Sequence, residues 1–130
     1  MAQEQCRPKI VVVIDDDPVT LDGMSGLLES WGYTVVAAAS EGAALERLGA
    51  RGQRPDLIVS DYRLSEGKLG TQAVQHLRKA FEIPALLITG DLVWPAEQEM
   101  RTGHFQLMHK PADTITLRTM LKRMIQDDTR

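Results

Sequence analysis

The chain has 130 residues, of which 43% are hydrophobic and 25% charged, with a formal charge of −3. That composition describes one globular domain able to bury roughly two thirds of its unfolded surface, and it excludes a disordered tail, a collagen and a disulfide miniprotein. The acidic balance argues against nucleic acid as a partner, and no apolar run approaches the roughly 20 residues that a membrane-spanning helix needs.

Met1–Lys9 is polar and resembles no secretory leader, and the single Cys6 can close no internal disulfide. Both observations point to a cytoplasmic setting. The chain divides into an N-terminal extension, 1–8, a single domain, 9–126, and a C-terminal tail, 127–130.

Lys9–Asp15 is a β-branched run, apolar on both faces and ended by carboxylates, which predicts a central parallel strand. Asp17 then reads as a helix N-cap with Pro18 at the first helical position. Leu21, Met24, Leu28 and Trp31 follow at helical spacing until Gly32. Gly23 and Gly26 interrupt this helix, at about 1 kcal/mol each relative to Ala, with close packing as the one evident reason. Thr34–Ala38 predicts a second strand, and Ser40 caps a helix that closes near Gly49.

Pro55–Asp61 predicts a third strand, again ending in a carboxylate. A loop, Tyr62–Leu69, leads to a helix over Gly70–Ala80 with Ala73, Val74 and Leu77 on one face. Pro84–Thr89 is the fourth strand, Trp94–Thr102 a weak helix, and Phe105–His109 the fifth strand. Asp113 caps a final helix whose stripe is Leu117, Met120, Leu121, Met124 and Ile125. Five strands alternating with five helices predict a doubly wound α/β sandwich.

In such a sheet, ligands bind outside the carboxyl ends of the strands, where the strand order reverses. With the order 2-1-3-4-5 that point lies between the first and third strands. Asp15, Asp16 and Asp17 end the first strand and Asp61 ends the third; Thr89 and Asp91 follow the fourth, and Lys110 the fifth. Carboxylates so close repel unless a cation neutralises them. Hard oxygen donors without Cys or paired His suit Mg²⁺ rather than zinc. Lys110 and Thr89 would add a positive charge and a hydroxyl able to receive a phosphoryl group. His109, one residue before Lys110 on a strand, should face the other way and reads as structural. His76 and His104 read as surface residues.

The segments VVVIDDDP, DLIVSD, LLITGD and HKP, in this order, resemble the receiver domain of two-component response regulators. SDYRL, LLITGD and LMHKP look most like receivers of hybrid sensor histidine kinases. The resemblance implies a flavodoxin-like (βα)5 three-layer sandwich. It makes Asp61 the phosphoacceptor, with a histidine kinase or histidine phosphotransfer domain as donor. Mg²⁺ would be held directly by Asp16, directly or through water by Asp15, and by Asp61 and the backbone carbonyl of Arg63. Thr89 and Lys110 would contact the phosphoryl group, Gly90 would let the following loop move, and Pro111 would be the usual cis-peptide proline. The domain would be a signalling switch rather than a metabolic enzyme, catalysing only its own phosphorylation and dephosphorylation, and acting on a downstream protein.

Two departures stand out. Ser65 occupies the position of the usual loop proline, and Gly70 falls nine residues after Asp61 instead of eight. Leu107 stands where an aromatic switch residue is common. A haloacid-dehalogenase-like phosphohydrolase using Asp15 is the alternative, but Thr20 sits one residue too far along for its first motif and Asp61 is left without a role. A receiver-like scaffold that never takes up phosphate is the third reading.

Overall fold

A computed structural model describes residues 9–61, 70–81, 83–89, 105–109 and 114–128. The strands are β1 (Ile10–Ile14), β2 (Thr34–Ala38), β3 (Leu57–Asp61), β4 (Ala85–Thr89) and β5 (Phe105–His109). The described helices, numbered here in chain order, are α1 (Pro18–Ser30), α2 (Glu41–Arg51), α3 (Gly70–Ala80) and α4 (Thr114–Asp128). The expected helix over Trp94–Thr102 and the cap at Asp113 lie outside the described residues.

All the described strands are parallel in one sheet, in the order β2-β1-β3-β4-β5. The order follows from the burial of each strand. Along β1, β3 and β4 nearly every side chain is buried, so these strands need cover on both faces and take the centre. Alternation then divides the core in two. Val12, Ile14, Ile58 and Leu87 pack with Ala44 and Leu48 of α2 and with Val74 and Leu77 of α3. Val11, Val13, Leu57, Val59 and Leu86 pack with Leu28 of α1 and with Leu117 and Leu121 of α4. The result is the three-layer doubly wound sandwich.

One local expectation is corrected, at the end of α2, and two are refined, at Asp17 and His76. Asp17 holds the cap position of α1 in an extended conformation, yet its side chain bonds none of the helix amides. Its carboxylate instead accepts from the Thr20 hydroxyl, while its own N–H donates to Asp15 Oδ1 at 2.9 Å. With Pro18 supplying no N–H, the neighbouring acid takes over part of the capping work. Helix α2 does not close near Gly49 but runs to Arg51. It ends where Gly52 turns left-handed at φ 61°, its N–H donating to Gly49 O and the Gln53 N–H to Leu48 O. His76 is exposed, as expected, but it pairs with Glu41 and so ties α3 to α2.

Where α1 ends, the Arg118 guanidinium of α4 lies 5.6 Å from the centre of the Trp31 ring. Burial raises the pKa of the neighbouring Tyr33, and Arg118 partly offsets the rise.

Close packing does not explain Gly23 and Gly26. A Cβ at either position would meet nothing within 4 Å. Gly23→Ala and Gly26→Ala should therefore each stabilise the protein by roughly 1 kcal/mol, and the double variant by about 2 kcal/mol. Thermal unfolding of the two single variants and the double tests this, and a loss of stability in either single variant would contradict an open helix face.

Candidate functional site

Strands β1 and β3 run side by side with Ile14 opposite Ser60, so the chain leaves both strands at the same edge of the sheet. That register brings Asp15, Asp16 and Asp61 together, each offering a carboxylate oxygen within 4.8 Å of the others. Asp15 is only 7% exposed. Its N–H donates to Ala38 O, and its Oδ1 accepts from the Asp17 amide, which fixes where α1 begins. Asp16 and Asp61 are half-buried at the rim.

A crevice of about 30 Å³ opens beside the acids, between the sheet and α1. Besides Asp15 and Asp61, it is lined by Val13, Ile14, Thr20, Met24, Val59 and Ile88. The charge therefore stands at the rim of an apolar floor, where low polarisability strengthens any ionic contact relative to open water.

Thr89 ends β4 and is 1% exposed; the residue before it, Ile88, is paired with Asp61. Thr89 is itself paired with His109, the last residue of β5. Arg63, Gly90, Lys110 and Pro111 lie outside the described residues, as does the side chain of Leu107, whose backbone pairs with Leu87.

The donor set is chemically uniform. Three carboxylates, with no Cys or His among them, suit a hard divalent cation such as Mg²⁺ and would hold a soft metal poorly. Two supports were not evident from the sequence. Ser60, a polar residue buried inside the apolar run LIVSD, donates its hydroxyl to the Asp61 carbonyl at 3.0 Å. Gly70, the first residue of α3, packs onto the same carbonyl. The signals available were a serine where the strand calls for an apolar residue and a glycine that opens a helix.

The sheet order and the acids at its central seam define a class of protein: a doubly wound domain with a cluster of carboxylates at the carboxyl edge of its sheet. The profile of the response regulator receiver domain matches residues 11–122. Protein PilH of Pseudomonas aeruginosa is 31% identical over 82% of this chain and 89% of its own length. The phyllosphere-induced regulator PhyR of Methylorubrum extorquens is 32% identical over 61% of this chain but 30% of its own length, so the chain spans less than a third of that relative. Among solved structures, the N-terminal domain of a three-domain response regulator/sensory box/GGDEF protein from Carboxydothermus hydrogenoformans superposes with a TM-score of 0.79. It is 25% identical and covers 91% of this chain and 94% of that one. Chemotaxis response regulator CheY4 of Vibrio cholerae gives 0.73 at 27% identity, over 91% and 99% of the two chains.

The chain belongs to the response regulator receiver domains, the phosphoaccepting modules of two-component signalling. The dehalogenase-type reading falls with that membership. Among the described residues no helix is long and apolar enough to cross a membrane.

Proposed function

We propose that Asp61 is the phosphoacceptor and that Asp15, Asp16 and Asp61, with the backbone carbonyl of Arg63, hold Mg²⁺. The carrying observation is the gathering of the three carboxylates within 4.8 Å at the adjoining ends of β1 and β3. The donor is a phosphohistidine on a kinase or phosphotransfer domain. The N–P bond breaks as a bond from Asp61 Oδ to phosphorus forms, and the imidazole leaves and takes up a proton. Bound Mg²⁺ would supply the positive charge that lets a dianionic phosphoryl group approach three acids. Lys110 and Thr89 contact the transferred group through an ammonium and a hydroxyl. Water attack on the acyl phosphate later returns the free carboxylate and inorganic phosphate.

The working unit is residues 9–126, with 1–8 and 127–130 as flanking extensions, and its setting is the cytoplasm. The Carboxydothermus neighbour, the N-terminal domain of a response regulator/sensory box/GGDEF protein, supports a receiver that serves within a longer sensory chain. The resemblance to receivers of hybrid kinases belongs to the same reading. For output, Leu107 offers no ring to swing, so the Thr89 hydroxyl draws toward the phosphoryl group and carries Gly90 and the segment after it. A downstream protein reads that shift. Pro111 keeps the place it has in the family, directly after the phosphoryl-contacting lysine.

The test is a small acyl phosphate donor with Mg²⁺, followed by mass spectrometry of the peptides. A phosphoryl group on Asp61 is expected. Steady turnover of phosphate esters through Asp15 would instead indicate a hydrolase, and uptake by no residue a phosphorylation-independent scaffold. In parallel, Mg²⁺ at a hundred times its dissociation constant should stabilise the fold by about 2.7 kcal/mol.

A further inference from the structure

The backbone of Asp61 is held as definitely as its carboxylate is placed. Ser60 and Asp61 are successive residues of a strand, so their side chains leave on opposite faces. Asp61 lies on the α1 side, where it lines the crevice with Val13 and Val59. Ser60 lies on the side of α2 and α3, in step with Ile58. There it is 1% exposed, and its hydroxyl donates to the carbonyl of Asp61 at 3.0 Å.

Helix α3 begins against the same group. A Cβ on residue 70 would lie 2.1 Å from the Asp61 carbonyl oxygen and 3.0 Å from the Ser60 hydroxyl. No side chain fits there, so only glycine lets the first turn of α3 rest on this peptide. A hydroxyl and a helix end thus grip one carbonyl from the face opposite the acids.

We infer that Ser60 and Gly70 are positioning residues for Asp61, holding its peptide carbonyl so that its carboxylate is aimed at the acid cluster. This rests on the reading of Asp61 as a Mg²⁺ ligand and phosphoacceptor. The physical link is short. Holding the carbonyl carbon and oxygen in place restrains both φ and ψ of Asp61, and with φ the direction of its Cα–Cβ bond relative to Asp15 and Asp16. Supports of this kind behind a ligand typically change metal affinity 10- to 100-fold when removed.

The experiment uses the whole chain and MgCl₂ alone, followed by the amide resonances of Asp16 and Asp61, at a temperature well below each variant's unfolding midpoint. Ser60→Ala should raise the Mg²⁺ dissociation constant about tenfold, the lower end of that range. Gly70→Ala should do at least as much, and Ser60→Thr, which keeps the hydroxyl, should recover most of the loss. Ala73→Gly, one turn further along α3, should lower stability and leave the Mg²⁺ constant at the wild-type value.

Wild-type affinity in Ser60→Ala would overturn the inference, as would an equal loss in Ala73→Gly. A wild type indifferent to Mg²⁺ would instead remove the cation reading. The side-chain couplings of Asp61 in metal-free protein then decide the matter: a single χ1 state that becomes averaged in Ser60→Ala upholds the positioning role, and an unchanged χ1 overturns it.

Discussion

Asp61→Asn should take up no phosphoryl group under conditions that load the wild type. A carboxamide oxygen is a far weaker nucleophile, and the amide has no second anionic oxygen to leave for a cation. Asp16→Asn should keep the acceptor and lose speed, on the order of a hundredfold, because one of the charges that would hold Mg²⁺ is gone. The metal-free stabilities should move the other way. With three carboxylate oxygens within 4.8 Å, removing one charge relieves a repulsion of about 1 kcal/mol at a partly solvated site, so both variants should melt above the wild type without Mg²⁺. Uptake by Asp61→Asn at the wild-type rate would move the acceptor elsewhere. A lower melting point for both variants would mean that the acids stabilise the fold by contacts stronger than their repulsion.

The second large effect concerns β4. Leu86 and Leu87 are adjacent, both fully buried, and belong to different halves of the core, on opposite faces of the sheet. Leu86→Ala and Leu87→Ala should each destabilise the protein by about 3 kcal/mol, the transfer loss plus the cavity left behind. Because the two side chains pack in different halves of the core, the double variant should lose roughly the sum. That is about 6 kcal/mol, within the 5–15 kcal/mol that a domain of this size usually has in total, so the double variant should be largely unfolded or close to it. Urea midpoints measure all three. A loss under about 1 kcal/mol for either single variant would mean that its face of the sheet is not tightly packed.

The parts of the fold that sequence made legible are those with punctuation. The bounds of β2 and β5, the start of α1 at Pro18, the Ser40 cap with its bond to the Ala43 amide, and α3 from Gly70 to Ala80 all agree with expectation. Each has a proline, a hydroxyl or a change of hydrophobic period at its boundary. The end of α2 was misjudged because composition cannot tell Gly49 from Gly52: both are glycines near a helix end, and only the backbone decides which turns left-handed. The grouping of Asp15 and Asp61 at one edge was legible because acids are costly where a buried strand ends unless they are used. The Ser60 grip was not. A hydroxyl bonding the carbonyl of the next residue has no periodicity, and the contact with Gly70 crosses a loop whose length does not reveal where its ends meet. The Glu41–His76 pair is hidden in the same way, since its partners come from different helices.

The β1–β3 seam also bears on how this domain comes into being. At its far end Asp56 Oδ2 accepts from the Ile10 amide, a bond that spans 46 positions of chain, and the acids at the near end belong to the same pairing. The intervening residues form β2 and two helices, so the seam closes only after a crossover of considerable length has been ordered. Non-local parallel pairing of this kind slows the folding search, because loop-closure entropy must be lost before any contact compensates for it. A ribosome-bound chain that has exposed only β1 carries Asp15 and Asp16 with nothing opposite them. The acid cluster is therefore assembled only when β3 has closed against β1, and no shorter stretch of the chain contains it.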